Sequence, residues 1–202
     1  QRNLLLTKED PTPTEVMTSV KNLVKVCTFE KVDTSKIPMF DLEYLFLQIR
    51  AKSVGETVKL NVPCQNNKEH APTETTVNVA TIMVDKSAMV DSTVMVSDEI
   101  GIVMRYPTID DSELLGNSTE ENMFKMMTRC MVRIFDNESV HEMMDTPDSD
   151  IEEFLDSLTM GQLDKLGEFF IGVPQLSHSI TFKCSQCDEP QTTTLRGLDT
   201  FF

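Results

Sequence analysis

The sequence has no Trp, two Tyr, seven Gly and three His among its 202 residues. The few glycines are scattered, so no GxGxxG, P-loop or GxSxG pattern forms, and phosphate cradles and nucleophile elbows are excluded. Three His without a His-Glu-x-x-His pattern leave little for acid–base or metal catalysis. Positive charge is scarce: 18 Lys and Arg face 33 Asp and Glu, a formal balance of −15. Phosphate contacts need Lys and Arg, so direct nucleic-acid binding and binding to anionic membrane surfaces are both disfavoured. No apolar run approaches the roughly 20 residues of a membrane helix. No positively charged, apolar leader opens the chain, and with Gln1 in place of Met the natural chain is expected to begin a few residues earlier.

What is present suits a globular protein. About 40% of residues are hydrophobic and 25% charged, enough for a real core in one domain, or one domain with a sizeable insertion. The acidity reads as solubility or as a docking surface for a basic partner. The five cysteines are Cys27, Cys64, Cys130, Cys184 and Cys187. An odd, uneven set in a chain this long does not form a disulfide framework, which implies a reducing cytosol. Met is abundant, with clusters at Met123, Met126, Met127 and Met131 and at Met143 and Met144. Such clusters fill cores or make adaptable contact surfaces.

Patterning predicts an α+β chain. Residues 1–12 read as an apolar start and a Pro-containing linker. Val16, Val20, Leu23, Val24 and Cys27 recur at helical spacing from Thr14. A second helix follows Pro38, with Asp41 as its cap, a stripe of Leu42, Leu45, Phe46 and Ile49 widened by Tyr44 and Leu47, Arg50 and Lys52 at its end, and Gly55 as its stop. Phe40, Tyr44, Leu47 and Val54 exceed one stripe and pack inside or face a partner, the core being preferred. Alternation predicts strands at Thr57–Val62 and Thr75–Val79, a short pair at Val94–Val96 and Gly101–Tyr106, and a last pair from Ser177 to Lys183 and from Thr192 to Arg196. Residues 109–172 read as helices, one opened by Ser118 with an apolar face of Met123, Phe124, Met127, Cys130, Met131 and Ile134, others at Asp148–Ser157 and Gly161–Phe170. The organisation expected is an N-terminal helical segment (1–55), a β-rich core (56–108 and 173–202) and a helical insertion (109–172), integrated in one domain.

Cys184 and Cys187 form a Cys-x-x-Cys turn at the tip of the last hairpin. That spacing lets two thiolates converge on one ion while turn amides support the sulfurs. The comparable loop, Cys64-Gln-Asn-Asn-Lys-Glu-His70, offers Cys64 and His70, so Cys64, His70, Cys184 and Cys187 make a candidate Cys3His zinc set. Four protein ligands would close the site, making the zinc structural and clamping two hairpins in a zinc-ribbon-like unit. A metal-free pair of hairpins and a transient Cys184–Cys187 disulfide stay open as alternatives. Cys27 and Cys130 read as buried and inert, and His141 and His178 as isolated, His178 being a remote alternate ligand. Acidic neighbours such as Asp110-Asp111, Glu120-Glu121 and Glu152-Glu153 point apart on helices and read as solvated faces. No catalytic or cofactor-binding residue stands out, and the expectation is no enzyme.

The segment from Phe40 to Glu56, Phe-Asp-Leu-Glu-Tyr-Leu-Phe-Leu-Gln-Ile-Arg-Ala-Lys-Ser-Val-Gly-Glu, resembles the signature of the T4-type phage baseplate hub subunit family. The likeness extends in pattern to the strand after it, a Cys-bearing loop, a helical middle and a C-terminal Cys-x-x-Cys hairpin. The resemblance implies a structural component or assembly chaperone of the hub of a contractile-tail baseplate. Its partners would be other baseplate or tail hub proteins in a hetero-oligomer, and its place the host cytoplasm during assembly, then the virion tail. It also implies Cys pairs in both loops, and His70 departs from that. The competing readings are a zinc-ribbon protein–protein adaptor in phage transcription or replication, and a tail-associated hydrolase.

Overall fold

The computed structural model describes residues 13–115 and 119–201. The expected apolar start at 1–12 and the helix-opening Ser118 lie outside the described residues. The chain divides into two units. The first runs up to Lys86 and resumes at Pro174; the second is Ser87–Val173.

In the first unit, α1 (Pro13–Cys27) and α2 (Met39–Ser53) form a helical pair. Helix α1 buries Val20 and Val24. Cys27, expected on the same buried face, is exposed, standing at the last position of the helix. Helix α2 buries Phe40, Leu42, Glu43, Phe46, Leu47 and Ala51. Residues this widely spaced around a helix mean partners on several sides, and α2 touches α1, the turn at Val79–Thr81, β3 (Met83–Asp85) and β8 (Gln175–Lys183). Of the residues beyond one stripe, Phe40 and Leu47 are core, whereas Val54 is exposed. The start of α2 also differs from expectation. Pro38 occupies the N-cap and Asp41 makes no capping bond; burial pushes the Asp41 carboxyl up, partly offset by Lys86. Past the helix end, Gly55 takes φ 141°, a conformation open to Gly, and its carbonyl accepts from Arg50 Nη1 at 3.2 Å.

The expected hairpins form. Strand β1 (Thr57–Val62) pairs antiparallel with β2 (Thr73–Asn78), and β9 (Pro190–Arg196) pairs with β8, which also takes β3 along its other edge. Alternation turns Val58, Val62 and Val77 inward from the first hairpin and Leu176, Ile180 and Phe182 from the second.

The second unit is built on a four-stranded antiparallel sheet of β4 (Thr93–Met95), β5 (Gly101–Met104), β6 (Met131–Phe135) and β7 (Val140–Glu142), in that order. Strands β6 and β7 correct the reading of 109–172 as helical. Helix α4 (Glu120–Cys130), capped by Thr119, stops at Cys130, and Met131 begins the ladder. Val132, Ile134 and Phe135 favour a pleated strand, and Asp136 Oδ1 accepts the Glu138 and Ser139 amides to turn the chain into β7. Helix α3 (Ser112–Leu115) precedes α4; α5 (Asp148–Ser157) and α6 (Met160–Ile171) follow β7. Their apolar sides join the sheet in one core of Val96, Ile102, Met104, Met126, Met127, Cys130, Met131, Ile151, Leu155, Leu166 and Phe169. Met126, Met127 and Met131 therefore act as core filler, while Met123 and Met144 are exposed.

Two close fits hold this unit. Gly101 lies opposite Phe135 in the ladder, and a side chain there would drive into the Phe135 ring. Asp111 is buried and accepts from Arg105 Nη1 at 2.7 Å, Arg105 Nη2 at 3.2 Å, the Thr108 amide at 2.8 Å and the Thr108 hydroxyl at 3.0 Å. Burial opposes the Asp111 charge, but Arg105 and Thr108 outweigh it and hold the carboxyl below its ordinary value. A carboxyl that titrates lower folded than unfolded contributes stability above its unfolded value, about 3.9, and loses it as pH falls further. Denaturant titrations should show Asp111→Asn destabilised by about 2–4 kcal/mol at neutral pH, with less of the wild type's stability loss below about pH 4. Gly101→Ala should lower stability by about 1–3 kcal/mol through overpacking, and an unchanged midpoint would refute the close fit.

Candidate metal centre

The first unit brings together Cys64, His70, Cys184 and Cys187, residues separated by as many as 123 positions. One ligand atom from each lies within 4.8 Å of all the others. Cys64 Sγ is 3.9 Å from Cys187 Sγ, and Cys184 Sγ is 3.5 Å from His70 Nδ1. Metal–sulfur bonds of about 2.3 Å and metal–nitrogen bonds of about 2.0–2.1 Å in a tetrahedron put two sulfurs about 3.8 Å apart and a sulfur and nitrogen about 3.5 Å apart. Both of these separations match, and the four side chains are close enough together to hold one ion. Cys64 and Cys184 are buried, at 5% and 1% exposure, and the other two are half-buried.

Local backbone structure explains the convergence. The second hairpin turns through Cys184-Ser-Gln-Cys187, with the Asp188 amide donating to the Cys184 carbonyl at 3.0 Å and Asp188 in the left-handed region at φ 59°. That turn aims the Cys187 and Gln186 amides at the Cys184 sulfur. After Cys64, the Asn67 and Asn66 amides reach the Cys64 sulfur. Asn67 then folds its loop back: its side-chain oxygen accepts the Glu69 amide at 3.0 Å and its carbonyl accepts the His70 amide at 3.3 Å. This local turn brings His70 beside Cys64 despite the long separation in sequence.

The loops are also tied to each other. Asn66 Nδ2 donates to Glu189 Oε2 at 2.6 Å, the Ala71 amide to Gln186 Oε1 at 3.1 Å, and the Ser185 amide to Thr73 Oγ1 at 3.1 Å. Gln191 is the residue that sequence reasoning missed. Its Oε1 accepts the Gln65 amide at 2.7 Å, while its Nε2 faces Cys64 Sγ at 3.2 Å and Cys187 Sγ at 3.7 Å. The available signal was strand phase: Gln191 shares the inward face of Thr193 and Leu195 on β9. His178 does not join the cluster, and His141 lies on β7 beside Ser139 Oγ.

The electrostatics divide the four ligands, favouring the thiolate at Cys64 and Cys184 and the protonated form at Cys187 and His70. Gln191, with the Asn67 and Asn66 amides and His70, lowers the Cys64 pKa to about 6. The Cys187 and Gln186 amides lower that of Cys184 against the penalty of burial. For Cys187 the Glu189 amide favours the thiolate, but burial and the Cys184 and Cys64 sulfurs outweigh it and raise the value. The Cys184 and Cys64 sulfurs raise that of His70. Cys130 is a contrast: burial among apolar side chains pushes its thiol up to about 12, so it reads as inert.

The class defined here is a small α+β protein with a closed four-ligand cluster able to hold a metal. Comparison with protein families makes the identification: all of residues 1–202 match the family described as T4 bacteriophage base plate protein. The chain belongs to that family of phage baseplate proteins, whose members work among other tail and baseplate proteins. No curated protein and no solved structure matches the chain.

Metal binding to such a set must displace protons, so affinity falls as pH falls. Cobalt(II) added to chelator-treated protein should give a thiolate-to-cobalt charge-transfer band at neutral pH that weakens as pH falls and protons compete for the thiolates. A band indifferent to pH between about 5 and 8 would contradict the ligand set.

Proposed function

We propose that this chain is a non-enzymatic component or assembly factor of the phage baseplate hub, stabilised by one structural zinc and acting through protein–protein contacts. The observation that carries the proposal is the convergence of three Cys sulfurs and one imidazole within 4.8 Å of one another in a chain of the baseplate family. Thiolate and imidazole suit zinc. Four protein ligands leave no open position for a water or substrate, so the metal's work is structural. It holds the β1–β2 and β8–β9 hairpins together as a zinc-ribbon-like unit across the 87–173 insertion. A saturated site supports a hub protein over a tail-associated hydrolase. Family membership favours the hub over an adaptor in transcription or replication. In this reading the protein is made in the host cytoplasm, joins other hub proteins there, and enters the tail baseplate with them.

The docking partner is a basic face of another baseplate protein, by charge complementarity. Residues 87–173 hold 19 of the 33 acidic residues and 5 of the 18 Lys and Arg, a balance of −14 out of the chain's −15. Within that unit, residues 136–157 contain nine carboxylates and no Lys or Arg. They include the edge strand β7, where Val140 is 60% exposed, and Met144 beyond it, 90% exposed. Apolar anchors inside a field of one sign are how a surface steers and then holds an oppositely charged partner.

Purified protein should carry about one zinc per chain, and Cys184→Ser should lose it with a Tm lower by at least about 4 °C. A zinc-free protein whose melting ignores chelator would refute the metal reading. Co-expressed with the other tail proteins of its phage, the chain should form a complex whose association slows with salt and weakens about tenfold or more in an Asp150→Lys/Glu153→Lys variant. Lys59→Glu, in the first unit, should leave the complex unchanged; equal effects of both would refute docking through the acidic unit.

A further inference from the structure

Gln191 is 7% exposed and lies directly across the ladder from Phe182. The orientation of its carboxamide is fixed by chemistry. Only the oxygen can accept the Gln65 amide at 2.7 Å, so the NH2 end must be the one between Cys64 Sγ and Cys187 Sγ. An NH2 group only donates, and it has one hydrogen for each sulfur. The two sulfurs come from different hairpins, so one side chain addresses both halves of the cluster while its oxygen pins the backbone next to Cys64. A buried carboxamide without such partners would carry a desolvation penalty of about 1–3 kcal/mol.

We propose that Gln191 is the positioning residue of the metal centre: by donating to Cys64 and Cys187 together it holds both sulfurs as acceptors at metal-binding separation and thereby sets the affinity for zinc. The inference rests on the zinc reading above. A Cys3His set around a divalent ion carries a net negative charge, and the two N–H dipoles offset part of it. Partners of this kind, one shell beyond the ligands, contribute about 10- to 100-fold in metal affinity. Thr194 supplies the comparison. It stands on the same strand as Gln191, and its hydroxyl meets Ser179 Oγ at 3.1 Å across the β8–β9 ladder, away from the sulfurs.

The test uses the full chain as wild type, Gln191→Leu, Gln191→Glu and Thr194→Val. Gln191→Glu keeps the shape and can still accept from Gln65, but it cannot donate to sulfur. Zinc affinity is measured by competition with a chromophoric chelator, and the cobalt(II) form by its thiolate charge-transfer spectrum. Both Gln191 variants should bind zinc about 10- to 100-fold more weakly, Gln191→Glu most, with a shifted cobalt band. Thr194→Val should stay within about threefold of wild type, below that range, and keep the wild-type spectrum. Gln191→Glu with wild-type affinity and spectrum, or Thr194→Val as impaired as the Gln191 variants, would overturn the inference and leave the zinc reading standing. A wild type that takes up neither zinc nor cobalt overturns both.

Discussion

Three sulfurs and an imidazole nitrogen within 4.8 Å of one another form an arrangement that ordinary packing does not favour. Sulfur lone pairs repel, and thiolates drawn together raise one another's proton affinity, as Cys187 shows. Backbone amides at Cys64 and Cys184 and the Gln191 carboxamide answer part of that repulsion. A divalent cation at the centre would answer the rest. Much of the first unit depends on this constraint. The β1–β2 hairpin belongs to the chain before the insertion and β8–β9 to the chain after it, and the cluster ties the two together. A tie between positions this far apart removes far more freedom from the unfolded chain than from the folded one.

What the sequence made legible follows from periodicity and local chemistry. Helix α2 and both Cys-bearing hairpins were readable because their stripes and alternation are strong, and Cys184-x-x-Cys187 because two thiols at that spacing have few uses. The six-residue interval from Cys64 to His70 gives a spacing and not the Asn67 turn that folds it back. Other features depend on neighbours. Met131 to Phe135 continues the apolar face of α4, and β5 waiting as a ladder partner is what turns it into a strand. Cys27 fits the stripe of α1 but is exposed at the helix end. Gln191 was invisible because an inward Gln on a strand means little until the sulfurs it faces are in place.

Charge is distributed as unevenly as the metal ligands. The first unit is nearly neutral and carries the cluster; the second holds almost all of the acidity, over a Met-rich core. One unit is thus suited to rigidity and the other to attraction, a division that fits a protein of the baseplate family whose partners are other proteins. Among the described residues no helix is long and apolar enough to cross a membrane.

The central claim is that one ion joins Cys64, His70, Cys184 and Cys187, and X-ray absorption at the zinc edge of the natively purified protein tests it most directly. The account predicts a first shell of three sulfurs at about 2.3 Å and one nitrogen at about 2.0–2.1 Å. An absent zinc edge, or a shell of oxygen and nitrogen alone, would contradict it.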